Sequence, residues 1–374
     1  MKLNDIIAVL ERIAPPAAAA EWDNVGLLAG ARNDKADRVL LTVDLTEAVV
    51  REAIDARCDL IIAYHPPIFH AIKSITDATS GGAVLLSALR EGISLYSPHT
   101  ALDAAAGGIN DWLCEGLGRG DIRALEPFAD LPDTEQNKII TYCPAEAVPA
   151  IRNGLASIGA GRIGAYQLCS FEISGTGTFL GGEETNPAVG ARHELNRVNE
   201  VRLEMVCPTA ALALAITALK QFHPYEEPPI EIIRFEKRPQ RGVGQGRRIV
   251  LDRPATLRAI VDRVKDRLGL KHINIALAND DSLQSKATHI GVCAGAGGSL
   301  LHGAIAQECT VFVTGEMRHH DVLAAVARGC SVILAGHTNT ERPYLKVLAK
   351  RLREDLDGID VLVSKRDADP LRTL

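Results

Sequence analysis

Acidic and imidazole side chains fall in this sequence at one recurring place, the end of a short apolar run. RVLLTVD ends in Asp44, DLIIAYH in His65, GISLYSPH in His99, CTVFVTGE in Glu316 and SVILAGH in His337. Imidazole and carboxylate together are donors for borderline and hard divalent ions, and a carboxylate can bridge two of them. His99-Thr-Ala-Leu-Asp103 and His337-Thr-Asn-Thr-Glu341 share one arrangement, a carboxylate four residues after an imidazole. Each pair could grip one ion, so His65, His99, Asp103, His337 and Glu341 are candidate ligands of a dinuclear site. A lone histidine at a strand end is more often a hydrogen-bonded structural residue. Five such ends in one chain weaken that explanation.

Glu341 has an explanation of its own, because Thr338-Asn-Thr-Glu341 fits a helix-opening capping box. Pro343 argues against it. With Thr338 as N-cap the proline would fall where its missing N–H is needed, whereas Thr340 as N-cap places it in the tolerated first turn. The Glu341 carboxylate then sits at a helix entrance, free to reach a metal. Cys293-Ala-Gly-Ala-Gly-Gly-Ser299 joins a strand to a helix, and the N–H groups of Gly295, Gly297 and Gly298 either cradle an anion such as phosphate or make a tight turn. It is not the dinucleotide fingerprint, since Leu300 stands where the third glycine is required. Glu316, and His320 at the start of the next helical stretch, are candidates for moving a proton. His70 reads as a turn residue, and His193, His223, His272, His289 and His302 have no partner at ligand spacing.

These residues need a scaffold that brings strand ends together. From 38 to 118, β-rich runs alternate with helical stretches (RVLLTVD, TEAVVREAIDAR, DLIIAYH, GGAVLLSALREG, GISLYSPH, GINDWLCEGLG), and the rhythm returns from about 288 to 355. That predicts an α/β fold with mostly parallel strands and crossover helices, in which ligands bind beyond the carboxyl ends of the strands. Between the halves the order becomes strand, helix, two strands, helix, strand, as in a ferredoxin-like α+β domain. The split α/β domain is therefore expected at 1–130 and 241–374, and the insertion at 137–240. KRPQRGVGQG reads as the linker between them.

At 374 residues the chain is long enough for two or three domains. Hydrophobic residues make up 47% and charged residues 24%, a globular balance, and a net charge of -6 with both signs interspersed argues against wrapping nucleic acid or anionic lipid. Eight cysteines occur singly, with no C-x-x-C pair, as in a reducing compartment. No apolar stretch is long enough for a membrane span, and the N-terminus lacks the uninterrupted run of a signal peptide, so the expected location is the cytoplasm.

Trp22-Asp-Asn-Val-Gly-Leu27, Tyr64-His-Pro-Pro-Ile-Phe69, His99-Thr-Ala-Leu-Asp103, Thr314-Gly-Glu316 and Gly336-His-Thr-Asn-Thr-Glu341 occur in order along nearly the whole chain. In this the sequence resembles the Nif-like family of GTP cyclohydrolase 1 type 2 homologues, in its longer form with an insertion carrying His223-Pro-Tyr-Glu-Glu-Pro228. The resemblance implies a dinuclear centre of two divalent ions per chain, of zinc, iron, manganese or cobalt type. It also implies a PII/CutA-like insertion and a homohexamer built as a trimer of dimers. Many bacterial members carry two consecutive histidines before the proline; here Tyr64 replaces the first, which removes an expected ligand of the second ion. The activity implied is metal-dependent hydrolysis of a nucleotide or related phosphorylated heterocycle. The alternatives are two-metal phosphoester hydrolysis and a non-catalytic metal or ligand sensor.

Overall fold

Val39, Leu40 and Leu41 are all buried, which a strand achieves only when both faces of its sheet are covered. In the computed structural model, which describes residues 1–371, the strand Arg38–Thr42 lies inside a sheet ordered Gly26–Ala29, Ser94–Ser97, Leu60–Ala63, Arg38–Thr42, Asp360–Val363. All neighbours are parallel except Gly26–Ala29, which runs antiparallel to Ser94–Ser97. Side chains alternate across the sheet. Leu40, Ile61 and Ala63 pack on the helices Glu47–Asp55 and Ser80–Arg90, while Val39, Leu41, Leu60 and Ile62 face the other way.

A second sheet has the order Asn274–Ala276, Ser331–Leu334, Val311–Glu316, Lys286–Ala296, Arg238–Thr256, Gly120–Asp130. Its Lys286–Ala296, Val311–Glu316 and Ser331–Leu334 strands are parallel, and Asn274–Ala276 and Arg238–Thr256 pair antiparallel to them. Ile290, Val292, Val311, Val313 and Ile333 share one apolar core with the inner face of the first sheet. The helices Leu3–Ile13, Ile109–Leu117, Leu257–Leu268 and Leu345–Asp355 contribute their apolar stripes to that core. Each fully buried leucine, isoleucine or valine there stabilises the fold by about 1.5–3 kcal/mol. The alternating runs thus give the expected α/β architecture, arranged as two sheets.

KRPQRGVGQG, within which the chain leaves one unit after Pro239 and re-enters the other at Gln240, also opens the long strand Arg238–Thr256. Arg247, on that strand, is wholly buried, pairs with Asp111 at 2.6 Å and donates to the carbonyls of Ala104, Ala105, Gly242, Gly244 and Gly246. A buried guanidinium is tolerated because every donor finds an acceptor. The same contacts clamp the end of the short helix His99–Ala104.

The chain divides into Met1–Phe128 with Gln240–Leu374, and Ala129–Pro239. The second unit begins eight residues before the expected 137, because the strand Gly120–Asp130 runs up to it. Its elements Asn137–Cys143, Val148–Ser157, Phe171–Leu180, Leu195–Cys207, Leu212–Phe222 and Ile230–Arg234 follow the βαββαβ order. The sheet order is Phe171–Leu180, Leu195–Cys207, Asn137–Cys143, Ile230–Arg234, with every pair antiparallel. His223 is structural here: it is buried, its Nε2 lies 3.1 Å from the Tyr142 carbonyl, and its Nδ1 accepts from the Tyr225 N–H at 3.1 Å. Among the described residues no helix is long and apolar enough to cross a membrane.

Candidate metal centre

Each candidate histidine is placed by a strand that has just ended. After Leu60–Ala63, the Tyr64 and His65 N–H groups still donate to the carbonyls of Thr42 and Val43, at 2.9 and 3.0 Å, so His65 leaves the first sheet in a fixed direction. Its Nδ1 lies 2.8 Å from Asp44 Oδ1, at the end of the adjacent strand. His337 follows Ser331–Leu334 in the second sheet, where the Gly336 N–H donates to the Gly315 carbonyl at 2.8 Å. The His337 Nδ1 lies 3.0 Å from Glu316 Oε1. His99 opens the helix His99–Ala104 with a φ of 23°, a strained backbone for a residue with a Cβ. Asp23 holds it there: Oδ1 is 2.8 Å from His99 Nδ1, and Oδ2 accepts from the Thr100 N–H and hydroxyl at 3.1 and 2.5 Å.

All three imidazoles therefore have Nδ1 engaged by a carboxylate, Asp44 for His65, Asp23 for His99 and Glu316 for His337. That fixes the neutral tautomer with its lone pair on Nε2, the arrangement found behind metal-ligating histidines. Glu341 completes the group. It is 3% exposed, with Oε1 3.3 Å from His337 Nε2 and Oε2 3.4 Å from His65 Nε2, and Oε2 is buried without a hydrogen-bond partner. One ligand atom from each of His65, His337 and Glu341 falls within 4.8 Å of the others, a group that could hold a metal ion. Gly295 leaves room for it: its φ is +60°, and a Cβ there would lie 2.6 Å from Glu341 Oε1 and 3.2 Å from His337 Nε2.

The electrostatics ask for positive charge at this point. Burial alone would depress the His65 imidazolium, but its contacts with Asp44 and Glu341 outweigh it and raise the pKa to about 10. The Glu341 contact, aided by Glu316, lifts His337 to about 9 against its own burial. Burial works to raise Glu341, and the two imidazoles pull it below the ordinary carboxylate range. The His65 contact likewise lowers Asp44. Without a metal, protons on the two Nε2 atoms neutralise the buried carboxylate. A divalent cation bound by the same three side chains replaces that charge, so a metal fits the residues present.

His99 and Asp103 lie beside this group, with the His99 ring centroid 5.5 Å from that of His65. Here the carboxylate already has a partner, because the buried Tyr64 hydroxyl donates to Asp103 Oδ1. Burial pushes the Asp103 carboxyl up to about 6, while His99 and the Tyr64 hydrogen bond act against that rise. Asn110 steadies the helix from behind, donating to the Asp103 carbonyl at 3.1 Å and accepting from the Ala294 N–H at 2.8 Å.

The structure bears on four expectations. Glu316 sits on His337 Nδ1, so its evident task is to orient that ring. His320 is exposed, its ring neighbour is His319 at 5.7 Å, and among the described residues no hydrogen bond or ion pair joins it to the group. The anion-cradle reading of Gly295, Gly297 and Gly298 gives way to the turn: the Gly295 N–H donates to Thr340 Oγ1 at 2.8 Å and the Gly297 N–H to the Glu316 carbonyl at 3.3 Å. A Cβ on Gly298 would meet Asp321 Oδ2 at 2.9 Å, a carboxylate close to where an anion would lie. Glu341 immediately precedes the 3-10 turn Arg342–Tyr344, with Pro343 inside it, one residue later than the expected cap. Thr340 instead donates to the His337 carbonyl at 2.6 Å. The holding roles of Asp23 and Asp44 went unread, although both residues lie in the motifs and strand ends quoted above.

The family model described as Duf34/NIF3 (NGG1p interacting factor 3) matches residues 1–370. The chain belongs to this family. Among its NIF3 relatives, the GTP cyclohydrolase 1 type 2 homolog of Bacillus subtilis (strain 168) is 34% identical over 372 residues, covering 99% of this chain and 98% of that protein. The NIF3-like protein 1 of Bos taurus is 33% identical over 383 residues, covering 100% of this chain and 93% of the relative. The crystal structure of Staphylococcus aureus protein SA1388 superposes with a TM-score of 0.78 at 28% identity, over 100% of this chain and 99% of that one. A Bacillus cereus protein related to NIF3 superposes with a TM-score of 0.67 at 30% identity, covering 100% and 99%.

Proposed function

We propose that this NIF3-family protein is a metal-dependent hydrolase acting on a nucleotide or related phosphorylated heterocycle. Its dinuclear centre is held by His65, His99, Asp103, His337 and Glu341. The observation that carries this reading is the convergence of His65 and His337, each fixed through Nδ1 by a carboxylate, on the buried Glu341 carboxylate, whose Oε2 lacks a hydrogen-bond partner. When bound, divalent ions supply Lewis acidity and lower the pKa of water. His65 and His337 hold one ion with Glu341, and His99 and Asp103 serve the second. Glu316 keeps one oxygen on His337 and is 57% exposed, so it can pass a proton between the site and solvent while it orients the ring. His320 is the weaker candidate for that transfer. On GTP the reaction opens the imidazole ring at C8 and releases formate. The names of several relatives support that substrate. The free cysteines, seven of them buried, fit a cytoplasmic setting.

A second reading has an observation of its own. The βαββαβ unit has a cavity of about 420 Å³ lined by Phe179, Glu200 and Tyr225 among others, which suits a ligand-sensing protein whose metal is structural. In this reading the unit is PII/CutA-like and the assembly a regulatory homohexamer, a trimer of dimers.

Elemental analysis of protein purified without added metal, beside His337→Ala, is the first test. Near two ions per chain, lost in the variant, supports the dinuclear centre; no ion in either refutes it. Product analysis then separates the chemistries. Formate from GTP supports ring opening, free phosphate from a generic ester supports phosphoester hydrolysis, and tightly held metal without turnover favours the sensor.

A further inference from the structure

Beside the metal group stands an aromatic pair for which the core has no use. Trp22 is 64% exposed and Phe69 39% exposed, and their ring centroids are 6.0 Å apart with planes inclined at 51°. They touch without stacking on each other. The Trp22 ring also meets the His99 ring edge-on, at 6.1 Å between centroids.

The turn that carries the indole is held on both sides, while the indole itself is open to water. Asp23, its neighbour in sequence, is engaged by His99 and Thr100, and the Asp23 N–H donates to the Ala20 carbonyl at 3.0 Å. The Ala20 N–H donates to Thr100 Oγ1 at 3.0 Å. Asn24, on the other side, donates from Nδ2 to the Ile68 carbonyl at 2.6 Å, tying the Trp22 turn to the segment that carries Phe69. One short turn therefore orients a candidate metal ligand and places an exposed indole beside it. An exposed aromatic side chain beside a polar site offers a face on which a planar base can stack.

We propose that Trp22 and Phe69 form the docking platform for the planar heterocycle of the substrate, stacking the base so that its reacting carbon lies over the metal group. The substrate class rests on the hydrolase reading, but the platform can be tested without turnover. Stacking on an indole needs no particular hydrogen-bond pattern, so the platform selects for aromaticity and leaves the identity of the base to other contacts.

The chain has two tryptophans, and Trp112 is buried, so Trp22 is a built-in reporter. The assembled, metal-loaded protein is titrated with guanosine, which lacks phosphate, and with ribose 5-phosphate, which lacks the base, following tryptophan emission excited at the red edge. The expected result is saturable quenching by guanosine and none by ribose 5-phosphate. Trp22→Ala should weaken guanosine binding about 10- to 100-fold by calorimetry, and Trp22→Phe should retain most of it, with metal content unchanged in both. Guanosine binding with equal affinity in wild type and Trp22→Ala overturns the platform. So does a Trp22 shielded from acrylamide in the assembled protein, which would show a second copy of the chain seated on it. The two proposals fail separately. Trp22-dependent guanosine binding without formate from GTP removes the hydrolase reading alone, and GTP turnover with an unchanged KM in Trp22→Ala removes the platform alone.

Discussion

The two ends of the candidate metal centre are built from the same residue types but are in different states of satisfaction. At the His65–Glu341–His337 end, one imidazole faces each oxygen of a buried carboxylate, and Oε2 has no hydrogen-bond partner. At the His99–Asp103 end the carboxylate already accepts the Tyr64 hydroxyl. A buried polar atom left unpaired is costly, and a cation relieves that cost at the first end. A cation entering the second must displace or share a hydrogen bond that already exists. Two sites with similar donors can thus differ in affinity because of one neighbouring phenol.

The largest effect that would break this comparison is expected from Glu341→Gln. It removes the charge both imidazoles share, so affinity for the first ion should fall by more than about 100-fold by calorimetry, exceeding losses from residues behind the ligands. Unchanged affinity would mean that the first end is not an ion site. Next come the holding carboxylates. Asp44→Asn and Glu316→Gln should each weaken the first ion by about 10- to 100-fold, whereas Asp23→Asn should act on the His99 end and spare the first ion. If Asp23→Asn weakens that ion as much as Asp44→Asn, the ends are not independent.

Tyr64→Phe sharpens the contrast from the other side. It frees Asp103 Oδ1 and leaves it buried, so the metal-free protein should lose about 1–3 kcal/mol of stability in denaturant titrations. Affinity for the second ion should rise, and an unchanged affinity would show that Tyr64 does not govern occupancy of that end.

The last expected effect is in pH. His65 and His337 bind protons more tightly folded than unfolded, with pKa values raised from 6.5 to about 10 and about 9. Their contribution to metal-free stability is complete below the unfolded value of 6.5 and is lost as pH rises through about 9 and then about 10. Glu341 and Asp44 are lowered, so their contribution is present above their unfolded values and is lost in acid. Chelator-treated protein should therefore show a Tm that declines on the alkaline side, and metal-loaded protein should hold its Tm there because the ion has replaced those protons. Identical alkaline profiles would mean that the ion does not occupy the positions of the protons.

How far the sequence disclosed this site depended on how local each signal was. His65, His99 and His337 were legible because a buried parallel strand reads as an apolar run, and the residue after it must leave the sheet at the ligand-binding edge. Glu341 was legible through Pro343, whose ring excludes the capping alternative. Asp23 was not, because it lies in a turn and its meaning comes from a contact with His99, 76 residues away. The Gly295 turn was ambiguous for a similar reason: its N–H partner, Thr340, lies 45 residues on. In the fold, the composition of KRPQRGVGQG marked the passage between the two units but not the strand Arg238–Thr256 that begins in it, because arginine, glycine and proline carry no alternating apolar pattern. The short edge strands Gly26–Ala29 and Asn274–Ala276 carried too few residues to show a period.

Glu341 has one further consequence, for biosynthesis. Its partners His65 and His337 come from opposite ends of the polypeptide, and the strand Asp360–Val363 closes the first sheet beside Arg38–Thr42. Asp367 then accepts from the Val43 N–H at 3.0 Å. A ribosome must pass the codon for Glu341, 276 residues after that for His65, before these donors can meet. A nascent chain stalled upstream of Glu341 presents His65 without its partners, so an ion held by all three residues would mark a chain made at least that far.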